Sequence, residues 1–187
     1  MLIDEGEAIA RLSQGEVVAI PTDTVYGVAV AVRAPGSTAA LFALKERPAD
    51  VALPVLITDV SDADAYATFT NEGALLAERF WPGALTVVGI RTDASRGWDL
   101  GGDGQTIGLR CPDDDRVRQI TRMVGPLVTT SANKHGERPC TTAAQVMALF
   151  AALPVFDGGM CHGEPSTVVD ATQTPLRVLR PGAIAIG

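Results

Sequence analysis

Apolar positions along the chain come in short runs divided by polar turns, and two spacings recur among them. Residues 4–14 set Ala8, Ile9 and Leu12 on one face with Gly15 just beyond, which predicts a short helix and its stop. The runs 17–20, 28–32, 53–57, 85–90, 106–109, 127–130, 155–156, 167–169 and 176–179 are too short for helices and predict strands. A helix capped by Ser37 carries Ala40, Leu41, Ala43 and Leu44, and delivers Lys45 and Arg47 before Pro48 stops it. One or two helices are predicted within 61–80, closed by Trp81-Pro82-Gly83. Another is predicted over 113–123, where Asp113, Asp114 and Asp115 suit the positive end of the helix dipole, and a last one over 141–150. The Gly- and Asp-rich stretch 93–104 reads as a surface loop. No repeat or linker interrupts the series. Its irregular alternation predicts one α/β domain over residues 1–187, built on a mixed sheet with flanking helices.

Composition narrows the class. With 187 residues, 47% hydrophobic and 20% charged, the chain has material for a full core without metal or disulfide staples. Lys and Arg number 15 against 22 Asp and Glu, a net charge of −7 that opposes indiscriminate nucleic-acid binding but leaves room for a local basic pocket. Cys111, Cys140 and Cys161 are an odd set without regular spacing, which fits a reducing, cytoplasmic setting. Residues 1–5 show no basic patch or apolar run of a signal peptide, and no apolar stretch approaches the ~20 residues of a membrane span.

The standard phosphate loop, dinucleotide fingerprint, nucleophile elbow and zinc-protease motif are all missing. His135, Cys140, Cys161 and His162 match no standard zinc spacing. Four polar clusters stand instead at the ends of apolar elements: Thr22-Asp23-Thr24-Val25-Tyr26-Gly27, Lys45-x-Arg47, Thr129-Thr130-Ser131-Ala132-Asn133, and Pro165-Ser166-Thr167 with Arg180. Each is as compatible with a cap or turn as with a ligand. Arg110 is a further strand-end cation, and Lys45 is one of only two lysines. Converging, these groups form a cationic pocket in an acidic surface, suited to a phosphorylated or carboxylated ligand.

The ordered set Pro-Thr-Asp-Thr-Val-Tyr-Gly at 21–27, Lys-x-Arg-Pro at 45–48, Trp-Pro-Gly-Ala-Leu-Thr at 81–86, Arg-Cys-Pro at 110–112, Thr-Ser-Ala-Asn at 130–133, Ser-Thr-Val-Val-Asp at 166–170 and Arg-Pro-Gly-Ala-Ile at 180–184 resembles the YrdC/TsaC family of L-threonylcarbamoyladenylate synthases, from about residue 15 to 184. The resemblance is to the short, single-domain form. It implies a twisted mixed sheet around a deep cationic cavity. It implies formation of threonylcarbamoyl-AMP and pyrophosphate from L-threonine, bicarbonate or carbon dioxide, and ATP with Mg2+. A separate transferase complex then passes the threonylcarbamoyl group to tRNA.

By the family pattern, Lys45 and Arg47 are the catalytic cations on the triphosphate. Thr86, Arg110, Ser131, Asn133 and Arg180 complete the ATP side, and Thr24, Tyr26 and Ser166 surround threonine. Where many members read Lys-Pro-Leu, this chain has Val51-Ala52-Leu53, so a third cation is missing. The alternative is a non-catalytic module that takes tRNA or double-stranded RNA in the same cavity. A carbamoyl-adenylate paralogue ranks lower, since its additional acylphosphatase and zinc-finger regions have no counterpart in these residues.

Overall fold

The computed structural model describes residues 1–34, 37–45, 51–134 and 136–186. Arg47, Pro48 and His135 lie outside the described residues. In chain order the elements are β1 (Leu2–Ile3), α1 (Glu5–Ser13), β2 (Val18–Ile20), β3 (Gly27–Ala31), α2 (Ser37–Lys45), β4 (Val55–Leu56), a 3-10 turn (Val60–Asp62), α3 (Ala63–Tyr66), β5 (Ala67–Thr68) and α4 (Asn71–Phe80). They continue as β6 (Leu85–Arg91), α5 (Asp93–Arg96), β7 (Thr106–Arg110), α6 (Asp115–Val124), β8 (Leu127–Ser131), α7 (Ala143–Leu149), β9 (Val155–Phe156), β10 (Thr167–Asp170) and β11 (Arg177–Arg180).

Among the described residues the strands join one mixed sheet in the order β1-β9-β2-β3-β8-β4-β7-β6-β10-β11, with β5 paired to β6. The centre is antiparallel: β3 pairs β2 on one side and β8 on the other. Parallel pairs occur at β4–β7 and β6–β10, and β11 closes one edge antiparallel to β10.

The apolar runs are continuous because the central strands are covered on both faces. Successive side chains on a strand point to opposite faces, and the core divides accordingly. Val28, Val30, Val55 and Val128 join Leu41, Ala77 and Val146 from α2, α4 and α7. Ala29, Ala31, Leu56 and Leu127 join Leu12 from α1 and Val117 and Ile120 from α6. Side chains cap the helix starts: Asp4 accepts from Glu7 N at 2.8 Å, Asp114 from Arg116 N at 3.0 Å, and Thr142 with Gln145 forms a reciprocal capping box.

Three elements depart from expectation. The 61–80 region is broken by β5, β1 lies in residues 1–3, for which no element is predicted, and α5 lies in the 93–104 loop. Each is four residues or fewer and is held by distant partners, such as β9 for β1 and β6 for β5. Local periodicity carries no signal for such pieces.

Candidate active site

A cavity of about 130 Å³, open at its mouth, lies where the start of β3 and the end of β8 run side by side, with Gly27 opposite Ser131. Its walls are Thr22, Thr24, Val25 and Gly27 from the β2–β3 turn, Pro54 and Leu56 around β4, Thr86 on β6, Arg110 ending β7, Thr129, Thr130 and Ser131 on β8, and Pro165, Ser166 and Arg180 beside the sheet edge. Gly27 is required here: a Cβ would stand 2.7 Å from Thr129 Oγ1.

Arg110 is buried, and its guanidinium is tied at all three nitrogens. Nε donates to Gly83 O at 3.0 Å, Nη1 to Thr24 Oγ1 at 2.8 Å, and Nη2 to Asp23 Oδ1 at 2.5 Å. The Asp23–Arg110 ion pair is almost wholly enclosed, with side-chain exposures of 12% and 8%. Such a pair holds its geometry firmly, and removing one partner strands a buried charge. The Trp81-Pro82-Gly83 turn presents the carbonyl that Arg110 needs. Trp81 Nε1 donates to Leu85 O at 2.7 Å, and Gly83 N donates to Cys111 O at 2.8 Å.

The threonine hydroxyls form a directed chain. Thr22 Oγ1 donates its one proton to Val25 O at 2.7 Å. The 2.9 Å contact between Thr22 Oγ1 and Thr24 Oγ1 is therefore donated by Thr24, which in turn accepts from Arg110. On the opposite wall Thr86 Oγ1 and Ser166 Oγ share a hydrogen bond of 2.9 Å. Arg180 lies over them, donating to Ser166 O at 2.8 Å and to Ser166 Oγ at 3.1 Å through Nη2. The Pro181-Gly182 turn packs so tightly that a Cβ on Gly182 would stand 2.3 Å from Pro165 O.

Of the residues singled out in the sequence, Thr24, Thr86, Arg110, Ser131, Ser166 and Arg180 line one cavity. Lys45 and Asn133 are buried behind Ser131: Lys45 Nζ donates to Ser131 O at 2.8 Å, Asn133 O at 2.6 Å and Asn133 Oδ1 at 2.7 Å. Tyr26 stands apart in the core. Its hydroxyl donates to Gly159 O at 2.9 Å and accepts from Gly158 N at 3.3 Å, and burial pushes its pKa up to about 12. Pro54 and Leu56 line the cavity without having been expected to, because apolar residues near a strand read as core. Asp23 lay inside a recognised motif, but only the fold brings it to Arg110.

A second, more apolar cleft of about 500 Å³ adjoins the first and shares Pro54, Thr86 and Arg180 with it. Val51, Ala52, Val88, Val168 and Leu179 line it, with Asp103, Thr106 and Gly108. The two spaces meet at Thr86 and Arg180.

Among the described residues no group of three or more His, Cys, Asp or Glu is arranged to hold a metal. Asp23, beside the cavity, is committed to Arg110. The three cysteines are buried and free, and burial raises the thiol pKa of each, which disfavours the thiolate a nucleophile needs.

A family model described as Telomere recombination (Sua5_yciO_yrdC) matches residues 10–182. The chain is 34% identical over 185 residues to the threonylcarbamoyl-AMP synthase of Bacillus subtilis (strain 168), across 95% of this chain and 53% of that protein. It is 32% identical over 169 residues to the threonylcarbamoyl-AMP synthase of Chromohalobacter salexigens, across 88% of this chain and 90% of that one. The crystal structure of Pyrococcus abyssi Sua5 complexed with L-threonine superposes with a TM-score of 0.86 at 29% identity, over 97% of this chain and 57% of that chain. The chain therefore spans little more than half the length of the Bacillus and Pyrococcus proteins, and most of the Chromohalobacter one.

Proposed function

Because this chain belongs to the Sua5/YciO/YrdC family, whose model covers residues 10–182, we propose that it is a threonylcarbamoyl-AMP synthase. Threonine and bicarbonate or carbon dioxide give a carbamate. A carbamate oxygen attacks the α-phosphorus of ATP, the bond to the bridging oxygen breaks, and pyrophosphate leaves. The observation that carries this reading is the pairing of a small, hydroxyl-lined cavity containing a fixed cation with a larger apolar cleft that shares its wall. The first suits an amino acid, with Thr24, Arg110 and Ser166 on its walls. The second suits a nucleoside, and Arg180 and Thr86 at the junction are where carbamate and α-phosphate would meet. That division moves Arg110 from the ATP side, where the sequence resemblance put it, to the amino-acid side.

The attacking carbamate is already anionic, so the main task of the protein is to position the reactants and offset negative charge. Arg110 and Arg180 supply fixed donors for that. Mg2+ would enter on the triphosphate of ATP, as part of the substrate.

The test is pyrophosphate release by purified protein with ATP, Mg2+, bicarbonate and threonine. Release that requires threonine is expected; release at the same rate without threonine, or none at all, overturns the reading. The non-catalytic RNA-binding alternative is not favoured: the Bacillus and Chromohalobacter relatives are synthases, and a net charge of −7 repels a polyanion outside the cavity. The product would pass to a threonylcarbamoyl transferase acting on tRNA in the cytoplasm. No helix among the described residues is long and apolar enough to cross a membrane.

A further inference from the structure

The lysine of the Lys-x-Arg motif is built into the protein in a way that a cation reserved for phosphate need not be. An ammonium has three N–H donors. Lys45 Nζ finds three acceptors on one short turn: Ser131 O at 2.8 Å, Asn133 O at 2.6 Å and Asn133 Oδ1 at 2.7 Å. The turn is arranged to receive it. Asn133 Nδ2 donates to Lys134 O at 2.7 Å and to Glu137 O at 2.9 Å, which fixes the amide so that Oδ1 faces Lys45. Ser131 Oγ donates to the same Oδ1 at 2.6 Å. Lys45 is only 6% exposed and Asn133 8%, so these bonds form where water competes little. Ser131, the residue this arrangement orients, is the one that lines the cavity.

We propose that Lys45 is a positioning residue: it holds the 131–133 turn, and through it Ser131, in the shape that serves the reaction, rather than acting by direct contact with the phosphates. The turn leads out of β8 toward α7, and Ser131 is the last residue of β8, opposite Gly27. Two carbonyls and one side-chain amide drawn to a single cation leave that turn with one arrangement. A guanidinium cannot reproduce it, because its donors are spread over a planar fork instead of radiating from one atom. A lysine acting on phosphate as a bare charge would be replaced by arginine at moderate cost.

The inference rests on the synthase reading, and the experiment separates the two. Wild-type protein is first shown to release pyrophosphate with threonine; failure there counts against the function and says nothing about Lys45. Lys45→Met, Asn133→Ala and the double variant are then compared by kcat and by KM for ATP, with Lys45→Arg alongside. Dependence of Lys45 on Asn133 predicts that the double variant is no slower than the slower single variant, within about threefold. It also predicts that Lys45→Arg is as impaired as Lys45→Met, and that kcat falls more than KM for ATP rises. Amide hydrogen exchange across 131–140, measured without substrate, is expected to quicken in Lys45→Met by about tenfold or more. Multiplicative losses in the double variant, rescue by Lys45→Arg, or a rise in KM for ATP with exchange unchanged would each overturn the proposal in favour of a direct phosphate contact. Should Lys45→Met fail to fold, Lys45→Gln replaces it in the same cycle.

Discussion

Arg110 and Arg180 each end a strand and each line the same cavity, yet the protein holds them in different ways. Arg110 closes an interior strand, is 7% exposed, and carries its own carboxylate partner, Asp23. Arg180 closes the exposed edge strand β11 and bonds Ser166 through a backbone carbonyl and a hydroxyl. The interior wall is therefore preorganised: desolvation and orientation are completed during folding, and a ligand meets a fixed group. The edge wall holds its cation on an exposed strand, where its pull on an anion is subject to salt.

The largest effect should come from breaking the interior wall. Arg110→Met leaves Asp23 buried and unpaired, a loss of about 3–5 kcal/mol, which lowers the melting temperature by roughly 6–20 °C in a chain of this size and abolishes threonine-dependent pyrophosphate release. Replacing both partners, as in Asp23→Leu with Arg110→Met, should recover much of the stability in a thermal melt and none of the activity. Recovery of both would show that the ion pair is structural alone.

Next in size is Arg180→Ala. It should leave the melting temperature within a few degrees while lowering kcat/KM by roughly 10–100-fold. Raising salt should increase KM for ATP in the wild type and do so less in Arg180→Ala. Equal salt dependence in the two proteins would erase the distinction between the interior and edge walls. Gly182→Ala should act in the same direction but more weakly, because the new Cβ, 2.3 Å from Pro165 O, shifts the turn after Arg180 without removing it.

The smallest effect concerns Tyr26, in the core beside the interior wall. Tyr26→Phe removes the bond to Gly159 O and should cost about 1 kcal/mol. The folded pKa of about 12 lies above the ordinary value of 10.0. The contribution of this phenol is therefore full below pH 10 and is lost as pH rises through 12. Alkaline melts should show a steeper loss in the wild type than in Tyr26→Phe over that window. Parallel curves would mean that the phenol is not buried as described.

Much of this was legible in the sequence. The strands of the central sheet followed from their apolar runs, and the split of Val28 and Val30 from Ala29 and Ala31 is the alternation expected of a strand covered on both faces. The motif positions supplied Thr24, Thr86, Arg110, Ser131, Ser166 and Arg180 for one cavity. Other features depended on contacts between residues far apart in the chain. Nothing local distinguishes Asp23 from a turn aspartate until β7 brings Arg110 alongside it, 87 positions away. Leu56 reads as core in any pattern analysis, and Tyr26, one residue from the cavity wall, is buried elsewhere, its hydroxyl held by Gly158 and Gly159, 132 and 133 positions away.

The direction of the hydroxyl chain has a consequence for what can be recognised. Thr24 and Ser131 both spend their single protons inward, on Thr22 and on Asn133. What they offer the cavity is lone pairs. This stretch of wall is a mould for donors, so a guest must bring its own hydrogens, as an amine or a free hydroxyl does. Threonine carries both. An O-methyl or N,N-dimethyl derivative would keep nearly the same shape yet leave lone pairs unmatched, at a cost of about 1–3 kcal/mol. In this region the cavity distinguishes its guests by their count of protons, a property that no outline of its walls reveals.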